Sequence, residues 1–99
     1  MSKQLVYEDF ADKVEQIFVV SQQGVPAIPL TLAEAAPLQL GAARPDIRLP
    51  FSLTFLAKDP RVLPQRTYRM EHDDLGVLEI FLVPTAKDAH GVTYQATFN

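Results

Sequence analysis

The spacing of hydrophobic positions changes once, near residue 16, and the change separates a short helical opening from a long β region. Phe10, Val14 and Ile17 recur at intervals of four and then three, with Glu8, Asp9, Asp12, Lys13 and Glu15 between them. That is the pattern of a brief amphipathic helix over residues 7–14. Its acidic first turn suits the positive end of a helix dipole. From Gln16 to Ser21 the residues become β-branched and aromatic, which predicts a first strand. Gln22-Gln23-Gly24 supplies a turn. Ile28, Leu30 and Leu32 then alternate with Pro29, Thr31 and Ala33 as a half-buried strand. Pro29 has no N–H to give a ladder, so it belongs at an edge, at a bulge or outside the pairing.

Residues 37–50 carry three prolines and one glycine without a steady period and read as a long connection. Alternation returns in the next strand, where Phe51, Leu53, Phe55 and Ala57 face one way and Ser52, Thr54 and Lys58 the other. Two glycine turns then set a register for the C-terminal third. With Gly76 in the left-handed position of a three-residue loop, Asp73 faces Val77, Tyr68 faces Leu82, Met70 faces Ile80 and His72 faces Leu78. Gly91 in the same role sets Asp88 opposite Val92, Leu82 opposite Phe98 and Pro84 opposite Ala96. Both registers keep the apolar residues on one face, and a slip of one residue would scramble them. A three-strand meander over 66–72, 77–84 and 92–98 follows.

The fold predicted is mainly β: a small antiparallel β-barrel or two-layer sandwich of about six strands, with one short N-terminal helix and the C-terminal meander. Its expected core is Phe10, Ile17, Val19, Leu30, Leu32, Leu53, Phe55, Tyr68, Met70, Leu78, Ile80, Leu82, Tyr94 and Phe98.

Ninety-nine residues make a single domain over 1–99, large enough to fold without disulfides or metals. The chain has no cysteine, which removes thiol catalysis and Cys-ligated zinc and fits a reducing compartment. No stretch is long and apolar enough for a membrane helix, and the acidic opening is unlike a signal peptide, so the expectation is a cytoplasmic protein without membrane contact. The net charge of −3 argues against nucleic acid as a partner.

Candidate chemistry is sparse. Glu71-His72-Asp73-Asp74 holds the residue types of a metal or proton-transfer site, but alternation turns His72 inward at a strand end and leaves both aspartates in a turn. His90 lies in the other hairpin tip, at the opposite end of the same strand, roughly 23–26 Å away at ~3.3 Å per residue. The serines Ser2, Ser21 and Ser52 lack a nucleophile-elbow context. Glu71 and Glu79 become outward cross-strand neighbours, with Arg69 diagonal to Glu79, and read as solvated charges. Four scattered glycines make no phosphate loop, and no cofactor is implied.

Two surface features remain. Lys58, Arg61, Arg66 and Arg69 form a local basic run, interrupted by Asp59, of the kind that guards a strand edge or meets an acidic surface. Phe81 and Val83 fall on the outer face of their strand, where apolar residues imply a second packed layer or a partner.

Pro50-Phe-Ser-Leu-Thr-Phe55, Leu63-Pro-Gln-Arg-Thr-Tyr-Arg-Met-Glu-His72, Leu75-Gly-Val-Leu-Glu-Ile-Phe-Leu-Val-Pro84 and Tyr94-Gln-Ala-Thr-Phe-Asn99, with the Tyr7-Glu-Asp-Phe10 opening, resemble a family of small uncharacterised bacterial proteins, catalogued as a domain of unknown function. The resemblance covers most of the chain and transfers no activity or catalytic residue. Some members occur near phage-tail-collar-like proteins, which implies an accessory role in such an assembly. The expected function is therefore a non-enzymatic interaction or accessory module, binding a protein partner or another copy through Phe81, Val83, Lys58, Arg61, Arg66 and Arg69. A small-ligand-binding barrel and an enzyme with an intersubunit site at His72 are the alternatives.

Overall fold

The computed structural model describes residues 5–37 and 50–98. Among these, α1 (Tyr7–Ala11) precedes six strands: β1 (Ile17–Val20), β2 (Pro29–Pro37), β3 (Phe51–Ala57), β4 (Arg66–His72), β5 (Gly76–Asp88) and β6 (Gly91–Phe98). Every neighbouring pair is antiparallel, and the sheet closes on itself in the order β1-β2-β3-β6-β5-β4. The fold is thus the barrel and not the sandwich. The 37–50 connection falls almost wholly outside the described residues.

Strict alternation fixes the interior. Phe51, Leu53, Phe55 and Ala57 of β3 are buried, as are Tyr68, Met70 and His72 of β4, and Leu78, Ile80 and Leu82 of β5. Ile28, Leu30 and Leu32 are buried as expected, and Pro29 is accommodated as the first residue of β2.

Both ends of the barrel are closed by side chains. At one end Phe10 of α1 is fully buried, its ring centroid 6.1 Å from Phe18, 5.8 Å from Phe51 and 5.9 Å from Phe98. Phe51 and Phe98 stack at 4.6 Å. At the other end, residues 58–65 cross from β3 to β4. Their anchor is buried Leu63, whose N–H donates to the Tyr94 hydroxyl at 2.9 Å. That hydroxyl donates in turn to the Arg61 carbonyl at 3.4 Å, and the Tyr68 hydroxyl donates to the Pro64 carbonyl. Two phenols therefore strap the crossing segment over the barrel mouth.

Four expectations are corrected. Ile17 and Val19 are not core residues: Ile17 is 53% exposed, Val19 is half-buried, and Phe18 and Val20 point inward instead. Ile17-Phe18-Val19-Val20 is apolar throughout, so its phase is set by the partner strands, through Phe18↔Leu30 and Val20↔Met70. The helix ends at Ala11, leaving Val14 on the surface, and Glu15, at φ 75°, swings the chain into β1. Phe98 is half-buried and packs on the core from the barrel end.

Both hairpin registers also differ from expectation. In β4–β5, His72 pairs with Gly76, Met70 with Leu78, Tyr68 with Ile80 and Arg66 with Leu82, a shift of two residues. A shift of two preserves every side-chain face, because the strand period is two. Arg69 consequently stands opposite Glu79, and Glu71 opposite Val77. In β5–β6 the turn pairs Asp88 with Gly91, one residue tighter than expected, and a bulge between Pro84 and Ala86 adds a second step, so that Pro84 faces Tyr94. The two steps together restore the faces beyond the bulge.

Candidate functional site

The outer wall has an uneven chemistry that follows from the strand order. β3 and β6 contain no charged residue, and they are neighbours, paired from Phe51↔Phe98 to Ala57↔Val92. Their outward side chains are Ser52, Thr54 and Leu56 against Thr97, Gln95 and Thr93. The rows continue onto both flanking strands. Leu56 meets Thr31 on β2, Thr93 meets Ala86 on β5, Thr54 meets Glu34, and Gln95 meets Val83. Across four strands, Glu34 is the single charge in these rows.

Two large apolar side chains stand on this wall in solvent, Leu56 at 46% and Phe81 at 47% exposure. Phe81 lies opposite Thr67, and Val83, half-buried, opposite Gln95. The wall is thus poor in charge and carries exposed apolar anchors, two traits shared with the centres of protein interfaces, although it lacks the arginine that such centres favour.

The six residues expected to form one interface separate into two groups. Phe81 and Val83 belong to the sparsely charged wall. Lys58, Arg61 and Arg66 lie around the barrel end crossed by residues 58–65, and Arg69 stands on the outside of β4. Arg61 is already engaged: its Nη2 lies 2.6 Å from Oδ2 of Asp59, and its Nε 3.0 Å from Oδ1. This pairing, with the Arg61 backbone N–H on the same carboxylate, holds Asp59 at about pKa 2. Arg66 places its guanidinium 5.5 Å from the centroid of the Tyr68 ring. The basic run is therefore not a continuous patch on the wall.

His72 is inward, as alternation requires, and only 7% exposed. Its Nδ1 accepts the backbone N–H groups of Asp74 at 3.0 Å and Leu75 at 3.2 Å. That assigns the ring proton to Nε2, which lies 2.6 Å from Oε1 of Gln16. Both nitrogens thus hold the β4–β5 turn to the start of β1. Its ring also packs on Phe18, at 4.5 Å between centroids. Beside it an open depression of about 420 Å³ is lined by Ile17, Val19, Glu71, His72 and Asp73 on the barrel's exterior. Among the described residues, no three His, Asp or Glu side chains come together to hold a metal ion.

A family model described as Domain of unknown function (DUF6916) matches residues 5–98, from the segment before α1 to the end of β6. The chain belongs to that family. No curated protein and no solved structure matches it. Membership agrees with the resemblance to a small uncharacterised family, and it leaves the site of this DUF6916 chain to be read from its own geometry.

The interior of the DUF6916 barrel is occupied by its own side chains. Phe18, Phe55, Tyr68 and Tyr94 are among the largest fully buried groups, and Phe10 and Leu63 close the two ends. Burial raises both phenols, Tyr68 and Tyr94, above the ordinary tyrosine range. No helix among the described residues is long and apolar enough to cross a membrane.

Of the residues on this wall, sequence reasoning named Phe81 and Val83 and did not name Leu56, Thr54 and Thr93. The signal was present in Phe51–Ala57 and Gly91–Phe98, two strand-length segments without a charge. What the sequence did not show is that they lie side by side.

Proposed function

We propose that this chain is a non-enzymatic docking module that binds protein through the sparsely charged wall of β3, β6 and the Phe81–Val83 stretch of β5, and that the surface it fits is that of a second copy. The wall of β3 and β6 carries the reading: a large uncharged area of a barrel whose chain bears net charge −3, with Leu56 and Phe81 in solvent. The chain's charged side chains lie mostly elsewhere on the surface, so two copies meeting there must pair or desolvate charges of both signs. Meeting on this wall, they bury apolar groups and hydroxyls that can donate to and accept from one another. Phe81 is the anchor expected to matter most, because buried aromatic residues dominate interface energies.

Light scattering across a concentration series tests this. The wild-type mass is expected to rise toward that of a dimer, while Phe81→Glu and Leu56→Glu remain folded monomers. A wild type that stays monomeric throughout contradicts the proposal.

A further inference from the structure

Barrel closure is incomplete at one seam. β1 and β4 share only the pairs Val19↔Glu71 and Val20↔Met70, although β4 runs for seven residues. Just past the end of β1, the Ser21 N–H donates to the Arg69 carbonyl at 2.8 Å. The Arg69 N–H is taken at 3.1 Å by Oε1 of Gln22, a side chain standing where a neighbouring strand would place a carbonyl.

These two bonds show which way the backbone points. In an antiparallel strand the N–H and C=O of one residue face the same side, and the side alternates from residue to residue. Arg69 faces the β1 side, so Thr67 presents both its N–H and its C=O to that side. β1 has already ended there, at Val20, and no described residue bonds either group. Thr67 is exposed. Among the described residues, the lower part of β4 is therefore an unpaired strand edge in a barrel otherwise closed.

That edge is flanked by cations. Arg66 and Arg69 are exposed, and neither is in an ion pair with another described residue; Arg69 stands opposite Glu79 in the ladder without forming one. Residues 66–69 thus carry two positive charges and no negative one beside this backbone, with the carboxylates of Glu71 and Glu79 next to Arg69 on the outer face.

We propose that the Arg66–Arg69 edge of β4 is a strand-addition site for an extended acidic segment of another protein. The segment's main chain pairs with the N–H and C=O of Thr67, and its carboxylates meet the guanidinium groups of Arg66 and Arg69. The edge supplies main-chain pairing and the arginines supply the choice of sequence. This inference stands apart from the β3–β6–β5 wall and holds or fails independently of it.

The competing role for the arginines is to keep other strands away from the edge. Amide hydrogen exchange of the whole chain separates the two, with the synthetic peptide acetyl-Glu-Val-Thr-Glu-Val-amide as probe: paired antiparallel with its threonine opposite Thr67, it sets one glutamate opposite Arg69 and the other opposite Arg66, which lie on opposite faces of β4. In the free protein the Thr67 amide is expected to exchange at least about ten-fold faster than those of Tyr68 and Met70, which face β5. Saturating acidic peptide is expected to slow Thr67 by about ten-fold or more. The effect should vanish with a peptide N-methylated at its central threonine and weaken in an Arg66→Ala, Arg69→Ala variant whose amide spectrum shows the barrel intact. A slow Thr67 amide in the free protein overturns the proposal. So does an amide indifferent to the acidic peptide, or one slowed equally by acetyl-Lys-Val-Thr-Lys-Val-amide.

Discussion

Nε2 of His72 lies 2.6 Å from Oε1 of Gln16, and the two residues join parts of the barrel 56 positions apart in sequence. Gln16 reaches back through its Nε2 to the Asp12 carbonyl just beyond α1, at 3.5 Å, while His72 holds the β4–β5 turn through Nδ1. One histidine thus links the helical end of the barrel to the hairpin beside it. His72→Ala leaves two turn N–H groups without their acceptor and is expected to lower stability by about 1–3 kcal/mol while the fold persists. Gln16 is exposed, so Gln16→Ala should cost less. Urea unfolding checks both, and nitrogen chemical shifts should show the proton on Nε2. A midpoint unchanged by His72→Ala would refute this role.

Gly76 and Gly91 both adopt positive φ, at 75° and 136°, but they are not equivalent. A Cβ at Gly76 meets nothing within 4 Å, so Gly76→Ala should cost about 1–2 kcal/mol of backbone strain. At Gly91 a Cβ would overlap the carbonyl oxygen of Ala57, which belongs to the paired neighbouring strand. Gly91→Ala must push β3 and β6 apart, and its loss of stability is expected to exceed that of Gly76→Ala clearly. Thermal unfolding of the two variants side by side decides it.

Tyr94 couples the crossing segment to the core. Tyr94→Phe keeps the ring but strands the buried Leu63 N–H, for an expected loss of about 1–3 kcal/mol. Its raised pKa also has a sign. Above about pH 10 the unfolded chain ionises its tyrosines while folded Tyr68 and Tyr94 stay protonated, so stability should fall as pH rises through that range. Phenolate absorbance followed with unfolding midpoints would show it, and a flat stability profile across that range would disprove it.

Asp59 offers the opposite case at the exposed end of the barrel. With Arg61 on its carboxylate it should titrate near pH 2, mainly through the side-chain hydrogen bond. Its contribution to stability is complete above the ordinary carboxylate range and is lost as pH falls toward 2. Carbon NMR of the carboxyl should read that value, moving up toward about 3.9 in Arg61→Ala.

The legible parts of this fold are those with a period. Phe51–Ala57 and the three C-terminal strands alternate cleanly, so their faces and the inward placement of His72 follow from residue order. Ile17-Phe18-Val19-Val20 has no polar position to mark a face, and its phase came out reversed. Hairpin registers failed for a different reason: a two-residue slip leaves parity untouched, and the bulge at Thr85 absorbs a residue without any mark such as glycine. The wall proposed for docking was half legible. Phe81 and Val83 announced themselves as apolar residues in outward positions, but Leu56 and the hydroxyls around it gain meaning only when β3 and β6, separated by two intervening strands in the chain, lie together. The open edge at Thr67 depends on where β1 stops, which no local pattern records.

The most direct test of the docking wall is cross-saturation NMR between isotopically distinct copies of the chain, which reports the amides that face a partner. Transfer is expected at Thr54, Gln95 and Thr97 and in the strand around Phe81, with Arg69 and Glu71 unaffected. Transfer confined to another face, or none at concentrations where the protein remains folded, would contradict the account.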